Sequence, residues 1–187
     1  VTIGTKSLLY GAHCFLLHPI FVLSAWIRLY GWPRKPPVVV AVLLHDLGYW
    51  GRSNMDGEDG KRHPEFGARL MEKLFDTVGK PWSGLRWYLF TGAHSRSWAA
   101  EKGCNPSPLC YADKLAFCLT PWWLYIPMAT ATGEIYEYMS DEAGRPVYYA
   151  SLAHKRAWKG RVDQKLRTWI AAQLFRPAET THFKKAA

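Results

Sequence analysis

Three apolar runs in this chain open on proline and end near glycine, and that punctuation restricts the fold more than any other feature of the 187 residues. In "HPIFVLSAWIRLYG", Pro19 stands in the first turn, where a missing N–H costs nothing, and Gly31 stands where a helix closes. "PPVVVAVLLHDLG" repeats the pattern; its valine run alone also fits a buried strand, and the flanks and length decide for helix. In "HPEFGARLMEKLFDTVG", Pro64 comes early and Gly79 late, and Phe66, Leu70, Leu74 and Phe75 fall on one helical face. "SGLRWYLFTGAHSRSWAAEKG" and, after the turn "NPSP", "LCYADKLAFCL" continue the helical pattern. The proline-broken stretch "TPWWLYIPMATATG" reads as core packing at a bend, and Leu166, Trp169, Ile170 and Leu174 form a last helical stripe. Neither an internal repeat nor an alternating strand interrupts the series. The expected fold class is all-α, a single globular helical bundle of about six to eight helices.

Hydrophobic residues make up 49% of the chain and aromatics 15%, enough for one well-buried core and not for disorder. One domain over residues 1–176 is expected, followed by a flexible basic tail, 177–187, that contains "THFKKAA". The net charge of +9 favours phosphorylated partners. No basic stripe interleaved with aromatics is present, so a small phosphorylated molecule accounts for the charge without a stable nucleic acid complex. Cys14, Cys104, Cys110 and Cys118 show neither a CxxC pair nor regular spacing, which points to reduced thiols and a cytoplasmic protein. The run "LLYGAHCFLLHPIFVLSAWI" approaches the length of a membrane span, but it holds two histidines and a proline, and no basic segment precedes a cleavage site. A buried helix pair is expected there instead of a span. The loop "GRSNMDGEDG" is acidic without the liganding positions of a calcium loop and reads as an exposed turn.

His13, His18, His45, His63 and His94 each fall on or beside an apolar helix, with Asp46 and Asp113 in similar settings. Any one of them alone is an ordinary core or capping residue. Burying them together would cost several kcal/mol per unpaired charge, and a metal is the economical compensator. Mixed imidazole and carboxylate donors suit Fe, Mn, Co, Ni or Zn better than Ca or Mg, and carboxylate bridging suits two ions. The chain contains no glycine-rich phosphate loop, no HExxH and no GxSxG.

The segments "LLHDLGYW", "HPEFGARL", "GAHSRSW" and "YADKL" together resemble the HD-domain superfamily of metal-dependent phosphohydrolases, over roughly residues 11–119. Their order and the separations of 18, 31 and 19 residues along His45, His63, His94 and Asp113 carry the resemblance. It implies that His45, Asp46 and Asp113 ligate one metal with an upstream histidine. His63 and His94 match the extra histidines of two-metal members, with Asp46 bridging. The upstream ligand is assigned to His18, which begins "HPIFV"; His13, 32 residues before His45, is the alternative, otherwise a supporting or substrate-facing residue.

The resemblance implies hydrolysis of a phosphomonoester or phosphodiester of a nucleotide-like small molecule by a hydroxide activated at a dinuclear centre. Asp46, Lys114 and Arg96 are the expected catalytic residues, the two cations as phosphate contacts; Lys61 and Arg62 read as a solvated face. Tyr49 and Trp50 would wall the site. Two other readings stay open: a di-iron oxygenase of the same fold that cleaves a C–C or C–P bond, and a non-catalytic metal-bound regulatory module. The "GYP" signature of the cyclic-dinucleotide members is lacking. A homo-oligomer is compatible with all three.

Overall fold

Proline opens three helices near where the sequence predicts and Gly31 closes one of them, but the helix that begins at Pro36 ends at Leu44, before Gly48, which lies in a 3-10 turn. The computed structural model describes residues 1–78, 84–139 and 147–175. In chain order the helices are α1 (Ile3–Tyr10), α2 (His18–Tyr30), α3 (Pro36–Leu44), α4 (His63–Val78), α5 (Gly84–Gly92), α6 (Arg96–Glu101), α7 (Pro108–Leu119), α8 (Trp122–Thr132), α9 (Glu134–Tyr138) and α10 (Leu152–Leu174). Two single 3-10 turns, Leu47–Tyr49 and Gly60–Arg62, lie between α3 and α4. No strand occurs among the described residues. The fold is all-α, with ten α-helices there in place of the expected six to eight.

The extra helices are short pieces cut by local chemistry. The run from Gly84 breaks between α5 and α6, where the Ser95 hydroxyl caps the new helix by accepting from Trp98 N–H. Gly133, at φ 89°, separates α8 from α9 in a left-handed turn that suits glycine. Pro19 does sit in the first turn of α2, and Gly31 closes that helix at φ 77°. The valine run of α3 is helical throughout. Pro127, expected at a bend, lies inside α8, whose helix passes through it. An internal proline costs about 3 kcal/mol, and burial of Tyr125, Ile126 and Ala129 against Ile135 and Met139 offsets it. The expected C-terminal tail and Gly79 lie outside the described residues.

The main core joins Val22, Ala25 and Trp26 of α2, Val38, Ala41 and Val42 of α3, Met71 and Phe75 of α4, Trp87 of α5, Leu109, Leu115 and Ala116 of α7, and Ile170 of α10. α4 packs along α5, and α7 lies between α2 and α10. Leu166, Trp169 and Ile170 join this core as expected, while Leu174 is exposed. The predicted face of α4 is corrected: Ala68, Met71 and Phe75 are buried, and Phe66 and Leu74 are exposed. The long uncharged run divides at Gly11 into α1 and α2. It is only partly interior, with Leu16 64% and Ile20 60% exposed. Among the described residues no helix is long and apolar enough to cross a membrane. The four cysteines form no disulfide.

Candidate metal centre

The polar heart of the bundle is made where the ends of several helices meet the middle of α7. His18 is the first residue of α2, His45 follows the last residue of α3 with Asp46 beside it, and His63 opens α4. His94 sits in the break between α5 and α6, and Asp113 lies in the middle of α7. All six side chains are buried. They form two groups, His18, His45, Asp46 and Asp113, and Asp46, His63 and His94, with the donor atoms of each group within 4.8 Å of one another.

Asp46 belongs to both groups and divides its oxygens between them. Its Oδ2 lies 3.2 Å from His18 Nε2 and 3.2 Å from His45 Nε2. Its Oδ1 lies 3.5 Å from His94 Nε2 and 3.6 Å from His63 Nε2. Asp113 completes the first group, with Oδ1 3.1 Å from His18 Nε2. The sequence left His18 and His13 as alternatives; His18 joins the cluster and His13 does not.

Backbone carbonyls fix how these rings face. His45 Nδ1 lies 2.9 Å from Val42 O, His63 Nδ1 2.7 Å from Gly60 O, and His94 Nδ1 2.7 Å from Thr91 O. A carbonyl can only accept, so each Nδ1 carries the proton and each neutral ring turns a bare Nε2 inward. His63 Nε2 and His94 Nε2 then stand 3.1 Å apart, lone pair to lone pair, an arrangement that asks for a cation between them. His45 Nε2 and Asp46 Oδ2 are buried with no hydrogen-bond partner among the described residues. Three nitrogens and a shared carboxylate with unused lone pairs are the donor set a pair of transition-metal ions takes.

The electrostatics agree. Burial opposes ionisation of Asp46, yet the imidazoles beside it, among them the protonated His18, hold its carboxyl well below the usual range. Asp113 is likewise held low against its burial by Lys114 and His18. His18 is raised to about 10 despite burial, because Asp113 and Asp46 both stabilise its charged form. Burial and the neighbouring His94 push His63 well below an ordinary imidazole, and burial lowers His94 as well.

A cavity of about 700 Å³ opens over the cluster, lined by His18, Asp46, His63, His94 and Asp113 on its polar side and by Phe117, Tyr125, Trp158 and Leu166 on its apolar side. Lys114 lines it with its ammonium 2.7 Å from Asp113 Oδ2. Arg96 lines it with its guanidinium stacked 5.1 Å over Trp169. Lys61, read from sequence as a solvated face, also reaches the lining, and Arg62 stays outside it. Tyr49 stacks on His63 with ring centroids 3.8 Å apart. Its neighbour Trp50 is 65% exposed and forms no wall, because the 3-10 turn directs successive side chains apart. In the acidic loop, Asp59 pairs with Arg52 at 2.8 Å and accepts from Ser53 N–H, but the loop is only partly the exposed turn expected, since Met55 is buried against Leu8 and Tyr49.

Sequence reading missed Glu134, which is fully buried and holds His13 through Oε2 at 3.1 Å. Its only sequence signal is an acidic residue directly after Gly133, which looks like an ordinary helix start. No protein-family model, curated protein or solved structure matches this chain.

Proposed function

We propose that the protein is a metal-dependent phosphohydrolase of the HD-domain superfamily, acting on a phosphomonoester or phosphodiester of a nucleotide-like small molecule. The observation that carries this reading is the division of one buried carboxylate between two groups of inward-facing imidazoles. His18, His45, Asp46 and Asp113 would hold one ion, and Asp46, His63 and His94 a second, from among Fe, Mn, Co, Ni and Zn. Bound there, such ions supply a water of lowered pKa and Lewis acidity toward phosphoryl oxygens.

The chain's own groups supply the rest. Lys114, Arg96 and Lys61 bring positive charge to the cavity beside the cluster, where phosphoryl oxygens would lie. Lys114 is anchored by Asp113, so its charge stays at the cluster's edge. The Val42, Gly60 and Thr91 carbonyls fix three of the imidazoles before any ligand arrives. Tyr49 covers one face of His63 and keeps water from it.

The test is metal analysis of purified protein, coupled to a screen of phosphomonoesters and phosphodiesters with and without Mn, Co, Ni and Fe. About two ions per chain are expected, with metal-dependent release of phosphate from a monoester or of the alcohol from a diester. Protein that takes up no transition metal after loading refutes the reading. Turnover that requires iron and consumes oxygen assigns the same ligands to an oxygenase, whereas ester hydrolysis that proceeds without oxygen keeps the hydrolase.

A further inference from the structure

His13 stands outside the six-residue cluster but lines the same cavity. Behind it the carboxylate of Glu134, the first residue of α9, is fully buried. Four donors converge on that carboxylate from α1, the α1–α2 link and α8. Ser7 Oγ donates at 2.6 Å, Ala12 N at 2.7 Å and Thr132 Oγ1 at 2.9 Å, and His13 Nδ1 lies at 3.1 Å. Gly11 lacks a side chain for the same purpose, since a Cβ there would come within 2.6 Å of Glu134 Oε1. Burial opposes the charge on Glu134, but His13, Ser7 and the Ala12 N–H keep the carboxyl below its ordinary range.

Proton bookkeeping then fixes the His13 ring. An ionised carboxylate only accepts. Ser7 has one hydroxyl proton, given to Glu134, so its oxygen, 3.0 Å from His13 Nδ1, can accept there and not donate. Both atoms that face Nδ1 are acceptors, and Nδ1 carries the proton. In the neutral ring, Nε2 on the opposite edge keeps its lone pair. The ring stands 5.1 Å from Tyr49 and 5.4 Å from His18, centroid to centroid, at the border of the cluster. His13 and the cluster residues His18, Asp46, His63, His94 and Asp113 line one cavity, so a molecule held there can meet both.

We infer that His13 is a substrate-contacting residue whose bare Nε2 accepts a hydrogen bond from a substrate hydroxyl, so that the substrate is a hydroxylated phosphate ester of the polyol or sugar phosphate class. The phosphate half rests on the phosphohydrolase reading; the hydroxyl half rests on the Ser7–Glu134–His13 geometry. Glu134 and Ser7 are positioning residues that act through His13.

Two measurements on the full chain test this. Nitrogen-15 NMR of the wild-type protein at pH 8 should show His13 Nδ1 as the protonated, pyrrole-type nitrogen and Nε2 as the pyridine-type one. Calorimetry on ion-loaded protein should show glycerol 3-phosphate binding about three- to tenfold more tightly than propyl phosphate, the range of one net hydrogen bond. His13→Phe should abolish that preference, and His13→Gln provides a second variant that keeps a polar side chain. A protonated Nε2 in the wild type, or a preference that survives His13→Phe, refutes the inference. Equal binding of both probes refutes it and leaves the phosphohydrolase reading standing, whereas binding of neither refutes both.

Discussion

Asp46 is the residue on which both halves of the centre depend, because each of its oxygens faces a different set of imidazoles. Removing it should therefore differ in kind from removing a ligand of one group. Asp46→Ala is expected to abolish binding of both ions or nearly so, while His63→Ala should keep the first ion; metal content per chain after desalting reads the difference. Two glycines matter at the same scale. A Cβ at Gly48 would run into the backbone carbonyl of His63, and one at Gly67 would lie 2.9 Å from the carbonyls of Leu44 and His45. These absent side chains let α4 lie against the end of α3, which is what brings His63 to Asp46. Gly67→Ala should destabilise the fold by about 1–3 kcal/mol, the usual cost of overpacking. A lowered urea midpoint with unchanged slope is the expected signature; an unchanged midpoint would mean that the two helices are free to separate.

The break between α5 and α6 carries His94 and is pinned from α4. Glu65 accepts from Trp98 Nε1 at 3.0 Å and from the Tyr88 hydroxyl at 3.0 and 3.1 Å. Gly92 lies so close to the Trp98 ring that a Cβ would meet it at 2.5 Å. Glu65 touches no ligand, yet it ties the helix that begins with His63 to the two that flank His94. Glu65→Ala should weaken the second ion about tenfold or more, as loss of an outer support typically does, and leave the first unchanged in a two-site calorimetric titration. Equal weakening of both sites would show that the support is general. The same elements show what sequence can and cannot reveal. α2 and the start of α3 were legible because proline and glycine act locally, and His45, Asp46, His63, His94 and Asp113 were legible because each lies in a short characteristic segment. The buried face of α4 was not: hydropathy favours Phe66 and Leu74, but close packing selects the stripe of Gly67, Ala68 and Met71, on which neighbouring helices can approach. Glu134 was illegible for another reason, since its partner Ser7 is 127 residues away and no local pattern marks the pair.

Across the whole molecule the centre joins stability to pH. His18, raised to about 10 against an ordinary 6.5, keeps its proton in the folded chain because Asp113 and Asp46 flank it. The unfolded chain releases that proton near 6.5, so the contribution is fully present below 6.5 and is lost as pH rises through about 10. The carboxyls of Asp46 and Asp113 act oppositely: held below 3.8, they stabilise above that value and lose the contribution as pH falls. Protein stripped with chelator should therefore melt at progressively lower temperature from pH 7 to pH 9. Ions in the cluster would take the place of the His18 proton, and the loaded protein has no such proton to keep. Its melting temperature should be flatter over the same range and higher throughout. A hundredfold excess of ion over its dissociation constant adds about 2.7 kcal/mol per site, which for a chain of this size is about 5–10 °C. Thermal scans at fixed ionic strength, stripped and loaded, check both points. Parallel profiles for the two forms would mean that His18 does not exchange its proton for a metal, and the first of the two groups would then be a buried ion-pair network.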